Sequence, residues 1–516
     1  MTTTLKKQTD GESPAGAPRS PGENEPRHSF AISRAASIGL FAGIALFFLV
    51  LALPTPVDLS PEGQRTAAVA VLMAVWWMTE ALPLPATALL PLALFPLLGV
   101  MPAGTTAAPY ANDVIFLFLA GFLIALGMQR WGLHRRIALG VVAAVGVQPR
   151  RLVLGFMLAT GFLSMWMSNT ATAAMMLPIG IAILALLERE DGPLGTALML
   201  GIAYGASIGG VATIIGTPPN AILVASVNEM FGYTISFIDW MIVGVPLAAV
   251  MLYLTWLLLV RVLFRLPARG SGDAAAAELV RTERASLGPA SRGEKVVGIV
   301  FALTALAWIL REPKDFGAFS LPGIATFLPM VSDSTIAVMG ALSLFVIPVA
   351  WRTRTFALDW EWASKIPWGV LLLFGGGLAL ARGFEQTGLA AWIGQQVEGL
   401  QGMPLIGIFI VVVTLFVFLT EMTSNTATAT MGMPIMAGIA SGVGADPMAL
   451  MAAAALSSSM AFMMPVATPP NAIVFGSGRI TIGQMMRAGW WLNIIAIVLV
   501  TIVSYYVVPA VLGTIP

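Results

Sequence analysis

The chain has 516 residues, 58% of them apolar and only 10% charged, with a mean hydropathy of +0.87. Soluble chains carry about 25% charged residues, so this is the composition of a polytopic helical membrane protein. A net charge of +1 says nothing about nucleic acid. With no cysteine and only His28 and His134, both outside the apolar segments, thiolate metal sites, disulfides and haem-type ligation are excluded or left without ligands.

Residues 1–35, rich in Pro, Gly, Ser and charge, read as a disordered cytoplasmic tail, too long and polar before the first apolar run to be a signal peptide. Apolar segments follow at 36–54, 66–82, 84–101 and 113–129, the last ending at a basic stretch with Arg130, Arg135 and Arg136. Two apolar arms span 149–188 around Ser168-Asn169-Thr170. Further segments cover 193–229, interrupted at Gly216-Thr217-Pro218-Pro219-Asn220, and 237–264. A polar, Arg-rich linker at 265–294 divides the chain. Beyond it come 295–311, 333–351, 367–384, arms at 403–441 around Ser424-Asn425-Thr426, then 446–476, broken at Thr468-Pro469-Pro470-Asn471, and 487–510.

The halves repeat one another. Ser168-Asn169-Thr170-Ala171-Thr172-Ala173 recurs in full as Ser424–Ala429, 256 residues on, and Thr217-Pro218-Pro219-Asn220-Ala221-Ile222 recurs as Thr468–Ile473, 251 residues on. Two polar blocks repeated at nearly one spacing mark an internal duplication. Ser, Thr and Asn in membrane helices often serve as interhelical glue, but two six-residue identities at matched spacing outweigh that reading.

A turn of three hydrogen-bonding residues at hydrocarbon depth is tolerated only where it lines a protein or water cavity. Both SNT blocks are therefore expected at the tips of re-entrant hairpins that enter and leave on one side. With the N-terminus inside and the hairpins not crossing, 23 of the 27 Lys and Arg fall on the cytoplasmic side, leaving Arg65, Arg311, Lys314 and Arg382 outside. The expected architecture is all-α, with about 11 transmembrane helices and two hairpins. Five crossings between the SNT blocks make the repeats inverted, the sequence mark of a secondary transporter with a midplane site.

A tip puts Ser, Asn and Thr at the start of an outgoing helix, where free N–H groups and the positive dipole end gather, a setting for carboxylate, phosphate or sulfate oxygens. Carbonyls released at the tips and at the Gly216 and Ala467 breaks are oxygen donors of the kind that hold Na⁺ in broken-helix transporters. No Lys or Arg lies in either motif, so bound cations and dipoles would offset a polyanion's charge. Glu421 is a functional candidate by depth, yet its counterpart is Met165, which favours a hydrogen-bonding structural role. Glu80 and Asp113 are expected at interfaces, and Gly375-Gly376-Gly377 in close helix packing.

These residues resemble the divalent anion/sodium symporter family of dicarboxylate, citrate and sulfate carriers. Doubled SNT tips, each followed by a TPPN-type break, are its hallmark, and Trp76-Trp77-Met78-Thr79-Glu80 with Pro83, Thr87 and Pro91 is similar to its early-helix signature. The resemblance covers about residues 36–510. It implies a homodimer in the cytoplasmic membrane working as an elevator: a scaffold (36–148 and 295–402) and a moving transport domain (149–264 and 403–516), joined by the linker 265–294. It implies substrate contacts from Ser168, Asn169, Thr170, Pro218, Ser424, Asn425, Thr426 and Pro469. One Na⁺ site would use Ser164, Ser168, Asn169 and Gly216, the other Thr420, Thr423, Ser424, Asn425 and Ala467, with Thr423 acting through its backbone carbonyl. The expected activity is Na⁺-coupled symport of small dicarboxylates such as succinate, malate or fumarate. The alternatives are a Na⁺-independent exchanger, a citrate or sulfate carrier, or, in a different class, a channel or membrane enzyme. The enzyme reading lacks a nucleophile–base pair or metal cluster in the apolar region.

Overall fold

The computed structural model describes residues 33–186, 192–269, 273–315 and 320–515. Residues 1–32 of the expected tail lie outside the described residues. Its last two, 34 and 35, already belong to helix α1 (Arg34–Ala52), whose N-cap Ser33 accepts a hydrogen bond from the Ala36 N–H. Ser60 caps α2 (Pro61–Thr79) in the same way. The stretch 84–101 is not one long helix but two short ones, Leu84–Thr87 and Leu90–Leu97, because Pro83, Pro85, Pro91 and Pro96 withdraw backbone donors at close intervals.

The first repeat comprises α3 (Asp113–Arg130), α4 (Leu133–Val145), α5 (Pro149–Ser164), α6 (Asn169–Leu186), α7 (Pro193–Gly210), α8 (Pro218–Phe231) and α9 (Phe237–Leu257). The polar linker holds a helix, α10 (Asp273–Ser286), followed by α11 (Arg292–Ile309) and α12 (Asp333–Val346). The second repeat is α13 (Trp368–Gln386), α14 (Leu389–Gln396), α15 (Leu405–Thr420), α16 (Asn425–Val443), α17 (Pro447–Ser458), α18 (Pro469–Phe475) and α19 (Ile482–Ile502). The 256-residue offset lays α5 on α15 end for end. Gly132 and Gly388, equivalent under it, take left-handed φ of +73° and +74° where the chain turns into α4 and α14. The repeats part after α7, which has 18 residues against 12 in α17.

Among the described residues, four helical stretches, Arg34–Ala52, Ala103–Arg130, Phe237–Leu263 and Ile482–Leu512, are long and apolar enough to cross a bilayer by length and composition. Several other apolar segments fall short of about 20 residues because the SNT and TPPN blocks cut them.

Glycines set the closest contacts. A Cβ on Gly209 (α7) would lie 2.2 Å from the Gly161 carbonyl oxygen (α5), and one on Gly442 (α16) 2.0 Å from that of Gly394 (α14). Added carbon there meets backbone, which cannot swing aside. Gly209→Ala is expected to destabilise the fold by about 1–3 kcal/mol, seen as a lowered thermal midpoint in detergent; an unchanged midpoint would contradict the packing. The Gly375–Gly377 run does pack closely: added Cβ atoms would strike Tyr110, the Ala88 carbonyl and Thr430.

The two repeats interlock. Helix α6, which starts at the first SNT, packs on α18, and α16, which starts at the second, packs on α8. Each SNT helix therefore lies against the other repeat's broken helix.

Polar links tie the loops into two groups. Arg130 pairs with Asp359 at 2.6 Å, Arg135 with Glu283 at 2.5 Å and Arg136 with Glu294 at 2.8 Å, while Arg150 Nε donates to the Leu266 carbonyl at 2.6 Å. In the other group, Arg311 pairs with Asp333 at 2.6 Å, Asp333 accepts from the Phe237 N–H at 2.8 Å, Ser60 Oγ donates to the Thr387 carbonyl at 2.8 Å, and Arg382 pairs with Glu229. The first group holds arginines that the charge count expects inside, the second Arg311 and Arg382, which it expects outside.

Candidate functional site

Four helices begin on residues of the repeated blocks: α6 at Asn169, α16 at Asn425, α8 at Pro218 and α18 at Pro469. The local chemistry explains the starts. A proline at N1 needs no hydrogen-bond partner, and Ser424 is the N-cap of α16, its Oγ accepting from the Ala427 N–H at 3.5 Å. Thr172 and Thr428 N–H groups donate to the Ser168 and Ser424 carbonyls at 3.0 and 2.9 Å, the same first bond in both repeats.

Exposure divides the expected residues into two sets. Ser168, Asn169, Thr170, Pro218, Ser424, Asn425, Thr426 and Pro469 all keep part of their surface open. Ser164, Gly216, Thr420 and Ala467 are buried. The residues expected to meet substrate are thus reachable, and of those expected only around a cation all but the partly exposed Thr423 are buried.

In the first repeat the buried set comes together around Asn169. Its side-chain amide lies 2.5 Å from Ser164 Oγ and 3.2 Å from each of the carbonyl oxygens of Ala206 and Gly216. With its NH₂ on that side, Asn169 donates to these oxygens. With its oxygen there, a hydroxyl, an amide oxygen and two carbonyls crowd together, an all-oxygen donor set fit for a hard cation. None of these donors is a carboxylate, which suits one positive charge better than two. The Ala206 carbonyl joins this group although no motif marks it. Nearby, Thr213 Oγ1 donates to the Met165 carbonyl at 2.5 Å, tying the break after α7 to the SNT tip.

The second repeat keeps the plan with different details. Thr420 Oγ1, the equivalent of Ser164, lies 2.7 Å from Asn425 Oδ1 and donates to the Ser458 carbonyl at 2.8 Å. The Thr423 hydroxyl is engaged elsewhere, 2.8 Å from the Leu419 carbonyl and 2.6 Å from Thr428 Oγ1. Ala467 lies near the end of the unwound stretch after α17, its N–H donating to the Met464 carbonyl at 3.2 Å.

Glu421 holds that stretch. Its carboxylate, 4% exposed, accepts from three successive N–H groups: Phe462 at 2.7 Å, Met463 at 2.9 and 3.0 Å, and Met464 at 3.0 Å. Asn493 Nδ2 of α19 adds a bond at 2.8 Å. Tyr204 OH, from α7, donates to the Phe462 carbonyl at 2.9 Å. Glu421 aligns with Met165, so the carboxylate has no counterpart in the first repeat, while Tyr204 of the first repeat, which aligns with Ala455, reaches across to the second, where the unwound segment 459–468 is longer than its counterpart 211–217. Glu421 has the hydrogen-bonding structural role that its unmatched position favoured. Glu80 and Asp113 are exposed, one capping the end of α2 and the other opening α3.

Comparison with known proteins finds relatives over nearly the whole chain. A sodium-dependent dicarboxylate transporter, SdcS, of Staphylococcus saprophyticus subsp. saprophyticus is 45% identical over 493 residues, covering 92% of each chain. The protein of the same name from Staphylococcus aureus strain USA300 is 45% identical over 490 residues, again covering 92% of each. Among solved structures, the YdaH transporter of Alcanivorax borkumensis superposes with a TM-score of 0.52 at 15% identity, over 92% of this chain and 96% of that one, and so shares the fold. The family model described as the sodium:sulfate symporter transmembrane region matches residues 34–512, and the chain belongs to that family.

Proposed function

We propose that the chain is a secondary transporter that carries small dicarboxylates, of the succinate, malate and fumarate type, into the cytoplasm in symport with Na⁺. The relatives named for Na⁺-dependent dicarboxylate transport support the ion and the substrate class. One observation within the chain carries the coupling: Asn169 is only partly buried while its amide lies among the buried oxygens of Ser164, Ala206 and Gly216. A cation held there lies just behind an anion held by the tip, so each lowers the electrostatic cost of binding the other. Two such tips match the two carboxylates of the substrate. Ser168, Asn169, Thr170, Pro218, Ser424, Asn425, Thr426 and Pro469 would meet the dicarboxylate. Ser164, Ser168, Asn169 and Gly216 would hold one Na⁺; Thr420, Thr423, Ser424, Asn425 and Ala467 would hold the other.

In this reading about 11 helices span the inner membrane with the N-terminus in the cytoplasm, the SNT arms are re-entrant hairpins of opposite direction, and the protein is a homodimer. Residues 149–264 and 403–516 move as an elevator against 36–148 and 295–402.

Labelled succinate uptake into proteoliposomes tests the function. Uptake is expected to rise at least about tenfold with an inward Na⁺ gradient, to saturate, and to be competed by malate and fumarate more than by sulfate or citrate. Uptake indifferent to Na⁺ but stimulated by internal dicarboxylate would replace symport with exchange.

A further inference from the structure

The asparagines that end the two TPPN blocks, Asn220 and Asn471, are fully buried and are not among the residues expected to touch Na⁺ or substrate. Both reach back across the unwound stretch before them. Asn220 Nδ2 donates to the carbonyls of Thr213 at 2.8 Å, Val211 at 3.0 Å and Gly210 at 3.4 Å. Asn471 Nδ2 donates to the carbonyls of Met464 at 3.0 Å and Ala461 at 3.3 Å. Thr213 and Met464, like Gly210 and Ala461, are equivalent under the 251-residue offset, so the duplication has kept the bonds as well as the residues.

The shared acceptor has a second donor. The Thr213 carbonyl also takes the Gly216 N–H at 3.4 Å, and the Met464 carbonyl takes the Ala467 N–H at 3.2 Å. In both repeats one carbonyl is therefore pinned by the amide of the TPPN asparagine and by the N–H of the residue expected to offer its own carbonyl to Na⁺. The result in the first repeat is visible: the Gly216 carbonyl oxygen lies 3.2 Å from the Asn169 amide. Meanwhile Oδ1 of Asn220 and Oδ1 of Asn471 each accept no hydrogen bond from the described residues. A buried acceptor left without a donor costs stability. That both repeats tolerate the same loss points to a geometric purpose for the donor side.

We propose that Asn220 and Asn471 are positioning residues for the two Na⁺ sites, each bracing a four-residue turn so that the carbonyl of Gly216 or Ala467 faces the neighbouring SNT tip. This rests on the reading of the chain as a Na⁺-coupled transporter. They act through the backbone and touch neither ion nor dicarboxylate.

The test compares Asn220→Ala and Asn471→Ala with the unaltered protein in proteoliposomes, measuring the Na⁺ concentration at half-maximal succinate uptake. Each substitution is expected to raise it about tenfold or more. The succinate KM and maximal rate at saturating Na⁺ are expected to stay within about twofold, a split that general misfolding would not produce. Should an alanine variant fail to reach the membrane, Asn220→Ser and Asn471→Ser keep a polar side chain whose hydroxyl is one atom too short to reach those carbonyls, and are expected to show the same split. A folded variant with unchanged Na⁺ dependence, or one losing rate, substrate affinity and Na⁺ affinity alike, overturns the proposal. Uptake by the unaltered protein that ignores Na⁺ would instead remove the reading on which it rests.

Discussion

Asn169→Ala and Asn425→Ala should each lower Na⁺-driven succinate uptake by about a hundredfold or more while the protein stays folded in the membrane. Asn169 serves two ligands at once: its exposed part belongs to the surface expected to meet a carboxylate, and its amide sits among the oxygens of Ser164, Ala206 and Gly216. Asn425 holds the equivalent place, 2.7 Å from Thr420 Oγ1. A hydrogen bond to a charged group contributes about 1.5–3 kcal/mol, and each 1.4 kcal/mol is tenfold in affinity, so losing one such contact and one cation ligand together exceeds two orders of magnitude. The fold should tolerate the change, because both residues open a helix and are only partly buried. Uptake assays alongside size-exclusion profiles check both halves of the expectation; near-normal transport by the two variants would remove the SNT tips from the site.

Glu421→Ala should be nearly as severe for a different reason, and its cost should fall on stability first. The substitution strips three consecutive N–H groups, of Phe462, Met463 and Met464, and the Asn493 amide of their common acceptor. Leaving such a set buried and unpaired is expected to cost roughly 3 kcal/mol or more. The stretch 459–468 would reorganise, and with it the Ala467 carbonyl. Glu421→Gln keeps one acceptor oxygen but turns an NH₂ toward N–H donors, so it should recover only part of the loss. A thermal-unfolding series in detergent with parallel uptake decides the matter. A Glu421→Ala protein as heat-stable as the parent would show that the clamp does not hold the second repeat.

The weight of these expectations falls unevenly on the two repeats. The first break is short and tied to its tip by Thr213, whereas the second is longer and needs Glu421, Asn493 and Tyr204. Glu421 has Met165 as its counterpart, and Tyr204 belongs to the first repeat and reaches across to the second, so no repeat signal could have announced the three as one group. Asn493 and Tyr204 lie 72 and 217 residues from Glu421 in the chain, and a bond of that kind exists only after folding. The Ala206 carbonyl was equally silent, since backbone oxygens carry no side-chain signature.

What the sequence determined by itself is whatever depends on local chemistry and on copying. Its apolar runs dictate membrane helices. Its duplicated Ser-Asn-Thr and Thr-Pro-Pro-Asn blocks dictate where helices start and stop, because caps, prolines and glycines act on their own neighbours. The tertiary structure alone decided how those pieces meet: that α6 lies on α18 and α16 on α8, that glycines such as Gly209 and Gly442 let backbones touch, and that the Thr213 and Met464 carbonyls receive two donors each. These are long-range contacts between segments of similar composition. Composition cannot rank one apolar pairing above another; shape and the need to satisfy every buried polar group can, and both are properties of the folded chain.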